Sequence, residues 1–290
     1  MGNNTSITEH KRHYYRELLC IGVPIIIGQL GTIILGFADT LMIGHHSTEE
    51  LAAAGLVNNI ITFFLVSYMG FSYGLTPIIG RLYGMEKTDE IGQKVKNSFF
   101  ANMVVGVLFS LALIILYFNL HRIGQPEELL ALIRPYFIVN LVSVLFVGVF
   151  NTLKQFLDGI GNTKVAMWVM IMGNIVNIFG NWVLIYGVGP CPEMGLLGAG
   201  ISTLASRVLM AVAMVGIIAG TKEYREYRNN IIASRINGAD FREMNRLGWP
   251  VALQLALESG AFTLSCVMVG WLGTIPLAAH QVMITISQLF

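Results

Sequence analysis

Apolar runs of twenty or more residues, separated by short polar stretches, make up most of this chain. They cover Leu18–Ile43, Leu51–Leu75, Ser98–Leu120, Pro135–Phe156, Val165–Tyr186, Leu196–Ala219 and Trp249–Leu272, and an eighth begins near Pro276. About 20 apolar residues cross the hydrocarbon core of a bilayer as a helix, and a helix satisfies its own backbone N–H and C=O groups there. Runs this long and this poor in charge exclude strands. The pattern predicts an all-α polytopic membrane protein. The first run contains Asp39 and has no small-x-small cleavage site, so it reads as a retained span rather than a leader.

The polar stretches orient the spans. Fifteen of the 18 lysines and arginines fall in the N-terminal tail and in the loops after the second, fourth and sixth spans. Arg122 and Arg134 lie on the opposite side, and Arg207 lies inside the sixth span. Cytoplasmic loops carry the excess of basic residues, which places the N-terminus in the cytoplasm.

The pattern also restarts. A shift of 226 residues lays Arg16-Glu17 on Arg242-Glu243, Gly22-Val-Pro24 on Gly248-Trp-Pro250, and Met42-Ile-Gly44 on Met268-Val-Gly270. The same shift lays Leu51-Ala-Ala53 on Leu277-Ala-Ala279. Six spans separate the copies, so both begin on the same side of the membrane, as in parallel transporter repeats. The chain divides into an amino-terminal lobe of six spans (1–220), a basic cytoplasmic linker (221–248) and the start of a second lobe (249–290). Doubling the repeat predicts a parent of roughly 450 residues with twelve helices. The last residues, from Ile284 to Phe290, lie inside an apolar run. The chain therefore reads as truncated within its eighth helix, the alternative being a half-transporter that dimerises.

Composition sharpens this picture. Hydrophobic residues make up 54% of the chain and charged residues 12%, against about 25% charged in soluble domains. That excludes a water-soluble enzyme, and a net charge of +1 offers no field for nucleic acid. Cys20, Cys191 and Cys266 form no disulfide or zinc pattern. HExxH, GxSxG and Walker A motifs are absent. Gly159-Ile-Gly161-Asn-Thr163-Lys164 has the spacing of a turn rather than a phosphate loop, and His45-His46 alone has too few ligands for a metal.

Of 17 acids, only Asp39 and Glu258 fall within these apolar runs. Ionisable residues inside a membrane are costly and mark ion or substrate paths by default, so both are candidate proton or cation sites. The alternative for each is an acid satisfied by a neighbouring helix. Asn174, Asn177 and Asn181 share one helical face, and Asn181 lies at the depth of Asp39. That face is a candidate cation or proton site with Asp39, or plain interhelical hydrogen bonding. Tyr136 is a further candidate for the cluster, or an interfacial belt residue. Arg207 pairs with an acid, lines a cavity or snorkels.

The chain resembles the multidrug and toxic compound extrusion (MATE) family in its bacterial NorM-like branch. The residues that carry the resemblance begin with Pro24 and Ala38-Asp39-Thr40-x-Met42-x-Gly44, then Leu51-Ala-Ala-Ala-Gly55 and Thr76-Pro77-x-x-Gly80-x-x-x-Gly84. Further along they are Asp158-Gly159-x-Gly161-Asn162-Thr163, Asn174-x-x-Asn177-x-x-x-Asn181, Gly198-Ala-Gly200, and Pro250 with Glu258. The resemblance implies a MATE-like two-lobed helical bundle in the bacterial inner membrane, monomeric at full length. It implies an efflux antiporter, not an enzyme, with no cofactor. Its partners would be a drug or organic cation, the bilayer, and Na+ or H+ as coupling ion. Asp39 matches the family's first-helix coupling acid and Glu258 the acidic site of the second lobe. Members with a strongly acidic amino-lobe site carry an acid where this chain has Asn181, which sets it apart from coupling through a carboxylate pair. The alternative within the superfamily is a lipid-linked oligosaccharide flippase or polysaccharide exporter, whose cavity is more basic than one with Arg207 alone.

Overall fold

A computed structural model describes residues 3–124 and 127–287. Among these residues the regular structure is helical throughout: α1 (Asn3–His46), α2 (Thr48–Tyr73), α3 (Leu75–Gly84), α4 (Thr88–Phe118), α5 (Glu127–Gly159), α6 (Thr163–Tyr186), α7 (Gly195–Gly220), α8 (Arg225–Ala233), α9 (Gly238–Gly270) and α10 (Thr274–Ser287). Seven helical stretches, with α2 and α3 counted as one, are long and apolar enough to cross a membrane. Large apolar side chains such as Leu30, Phe118, Phe179 and Leu257 face outward, the arrangement expected when lipid is the solvent.

The helices begin earlier than the apolar runs. α1 starts at Asn3 rather than Leu18, α4 at Thr88 rather than Ser98, α5 at Glu127 rather than Pro135, and α9 at Gly238 rather than Trp249. Hydropathy marks the part of a helix suited to hydrocarbon, whereas the backbone ladder continues through polar turns as long as nothing breaks it. The boundary drawn at 248/249 therefore falls inside one continuous helix. The polar start of α9 is held by Lys94 of α4, whose Nζ donates to Asp240 (2.7 Å) and Glu243 (2.5 Å). The far end of α5 also runs past Phe156, which places Asp158 within a membrane-length helix. Lys154 one turn earlier donates to it at 2.7 Å, and the Asp158 side chain is only 8% exposed.

α2 is the axis of the molecule. Ala52, Ala53, Leu56, Val57 and Phe71 are fully covered, with α1, α4, α5, α9 and α10 packed around it. Its crossing with α9 brings backbones together. A Cβ added at Gly70 would lie 2.9 Å from Ala252 Cα, and one at Gly74 would lie 2.9 Å from Gly248 N. Gly70-x-x-x-Gly74 thus meets Gly248-x-x-x-Ala252, the small-residue spacing that lets membrane helices approach closely.

The repeat is visible in the helix plan. Pro24 and Pro250 sit inside α1 and α9, and α2 and α10 begin at Thr48 and Thr274, each pair 226 residues apart. On the side assigned to the cytoplasm, α8 packs along α4 through Thr88–Glu226 (2.7 Å) and Lys96 to Ser234 O (2.6 Å). On the other side, His46 bridges Glu50 (2.8 Å) and Glu193 (2.9 Å), tying the start of α2 to the loop before α7.

Candidate functional site

Asp39 lies on α1 two turns before the helix ends. Asn181 of α6 donates from Nδ2 to its Oδ1 at 2.6 Å. The two helices are held at this depth by the Tyr186 hydroxyl, which donates to Met42 O at 2.9 Å. Asn177, one turn from Asn181 and equally buried, lies 3.1 Å from it. With the Asn177 amide turned so that its nitrogen faces α1, that nitrogen is 3.2 Å from Asp39 Oδ1 and its oxygen accepts from the Thr203 hydroxyl at 3.1 Å. Of the asparagine face, Asn181 thus bonds to Asp39 directly, and Asn177 reaches it only with its amide turned. Asn174 lies one turn further along α6, against Gly31 of α1. Its Nδ2 is buried without a hydrogen-bond partner. Contrary to the expectation for this face, none of Asn174, Asn177 and Asn181 lines the cavity beside Asp39; Asn181 reaches the carboxylate from behind the cavity wall.

That cavity measures about 310 Å³, at the small end of the range for small-molecule sites. Tyr136 of α5 belongs to it. The side chain is buried rather than interfacial, and its hydroxyl donates to Asn58 of α2 at 2.9 Å. Neighbouring Asn59 donates to Gln281 of α10 at 3.0 Å, and Thr40 and Thr285 join α1 to α10 at 3.1 Å. α10 thus closes a site that the sequence places wholly within residues 1–220. Arg207 of α7 also lines the cavity and donates from Nη1 to Ser143 Oγ at 2.5 Å.

Glu258 is not part of this constellation. It is exposed on α9 and does not line the cavity. Among the described residues no cluster of three or more His, Cys, Asp or Glu side chains is placed to hold a metal ion. The cavity offers one carboxylate, several amide and hydroxyl oxygens and one guanidinium, enclosed by apolar helices. Such a set can bind a proton or a desolvated cation at Asp39. It contains no nucleophile paired with a base.

Sequence residues 24–183 match the family model MatE. A relative described as a probable multidrug resistance protein NorM, from Photorhabdus laumondii, is 30% identical over 275 residues, covering 94% of this chain and 60% of its own length. Among solved structures, the eukaryotic MATE transporter AtDTX14 superposes with a TM-score of 0.80 at 17% identity, over 95% of this chain and 60% of that one. A MOP superfamily transporter from Pyrococcus furiosus does so with a TM-score of 0.72 at 21% identity, over 91% and 62%. The chain spans about 60% of the length of these relatives, and the structural likenesses establish the fold.

Proposed function

The chain belongs to the MatE family, and on that premise we propose that it serves cation-coupled efflux of drug-like organic cations from the cytoplasm. It is a multi-pass membrane protein, and in our reading its N-terminus is cytoplasmic and its membrane is the bacterial inner membrane. The observation that carries the proposal is the hydrogen-bonded carboxylate of Asp39 in a polar cavity between apolar helices. A proton or a sodium ion neutralises Asp39, and the organic cation competes for the same charge. Exchange of the two at one carboxylate makes an antiporter when the lobes rock between two openings. Asn177, Asn181 and Tyr136 shape the site. Glu258 provides a second cation site, separate from this cavity. The flippase reading calls for a more basic cavity, and Arg207 is the one base lining this one among the described residues.

The test is equilibrium binding of rhodamine 123, a fluorescent organic monocation, to the purified chain in detergent micelles. Asp39→Asn removes the charge and keeps the shape, so affinity falls about tenfold or more, as expected for loss of a charge-assisted contact. Equal affinity in both proteins would contradict the proposal.

A further inference from the structure

Arg207 is the charged group of the cavity that the exchange at Asp39 does not use. A guanidinium carries five N–H donors and stays charged at any physiological pH. Inside a membrane such a group is normally paired. Here it makes one hydrogen bond among the described residues, from Nη1 to the neutral Ser143 hydroxyl, and no carboxylate is in ion-pair contact with it. Asp39 lines the same cavity and attracts Arg207 across it without ion-pair contact, while its Oδ1 accepts from Asn181. Ser143 in turn donates to Asn140 O at 2.6 Å, so the serine is anchored and holds the guanidinium at the cavity wall. Arg207 itself lines the cavity of about 310 Å³, large enough for part of a small molecule.

We propose that Arg207 is an anion-recognising residue of this cavity and that the preferred substrates carry a carboxylate or a comparable oxyanion beside their cationic group. The inference rests on the export reading above and specifies its substrate class. A zwitterionic amphiphile places its positive end at Asp39 and its negative end at Arg207. The planar fork of the guanidinium matches a carboxylate through two parallel hydrogen bonds. A pure monocation gains the first contact and meets the repulsion of Arg207.

Rhodamine 110 and rhodamine 123 separate the two contacts, because they share one cationic ring system and differ in a free carboxylate against its methyl ester. Binding of each dye to the purified chain in micelles is measured by fluorescence anisotropy. Arg207→Gln lowers the affinity for rhodamine 110 about tenfold or more, while rhodamine 123, relieved of the repulsion, binds more tightly. Arg207→Lys keeps the charge without the fork and retains part of the rhodamine 110 affinity. A single symmetric peak in size-exclusion chromatography confirms that each variant is folded, and the lysine variant carries the test if the glutamine variant fails this check. If both dyes bind and the substitutions weaken neither, or weaken both alike, the inference is overturned while the export reading stands. If neither dye binds the native chain, the export reading fails and takes the inference with it.

Discussion

Asp39 is held in place mainly by Asn181. A carboxylate among apolar helices is costly unless it is hydrogen-bonded, and the 2.6 Å contact from the amide satisfies one of its oxygens. Interhelical hydrogen bonds in membranes average only about 0.6 kcal/mol, but bonds to charged groups reach about 1.5–3 kcal/mol. A double-mutant cycle of Asp39→Asn and Asn181→Ala, read from unfolding free energies in micelles, is expected to give a coupling above the membrane average. Additive effects of the two substitutions would show that the contact carries no energy of its own. This pair was legible in the sequence because depth along a helix is a count of residues from its end. Counting gave no azimuth, so Asn174 shared the face on paper and meets Gly31 in the structure. The partners Asn58, Asn59, Ser143 and Gln281 carry no periodic mark, and only the packing of distant helices brings them to the site. Tyr136 stood between two readings in the sequence, and burial against Asn58 decides for the cavity.

The central pair of helices, α2 and α9, is set by four small residues. At Gly74 the atoms that an added Cβ would meet are all backbone atoms, and at Gly248 the nearest is the backbone oxygen of Phe71; backbone cannot move aside as a flexible side chain can. Gly74→Leu therefore forces the two helices apart and is expected to destabilise the fold by about 1–3 kcal/mol, the cost of overpacking. Gly216→Leu, at a position where nothing lies within 4 Å of an added Cβ, serves as the control and leaves the thermal midpoint unchanged. A midpoint equally unchanged in Gly74→Leu would remove the crossing from the account. The number and order of the spans were legible from hydropathy, and so was the restart after 226 residues. The helix starts were not, because polar turns such as Gly238–Leu247 continue a helix when ion pairs like Lys94–Asp240 hold them. Asp158 falls outside the apolar run Pro135–Phe156 for the same reason, and its pairing with Lys154 explains how it sits at the end of α5.

For the molecule as a whole, the repeat aligns α1 with α9, each with a proline inside, and both pack against α2. The cavity lies where the first repeat meets the start of the second. α1, α2, α5 and α7 supply its charged and amide groups, and α10 closes it through Gln281 and Thr285. In the proposed antiport, rocking of the two halves would change the shape of this cavity and so connect occupancy of Asp39 to its opening. In the proposed exchange, a single coupling cation and the organic substrate exclude one another at Asp39. Thermodynamic linkage makes that exclusion quantitative. The dissociation constant of rhodamine 123 is measured across a pH series at fixed sodium and across a sodium series at fixed pH. In the native chain, one of the two series is predicted to raise it with a limiting logarithmic slope of about one, the value for one competing cation, and Asp39→Asn is predicted to flatten that series. A native chain that is flat in both series, or an Asp39→Asn variant that keeps the native slope, would contradict the account.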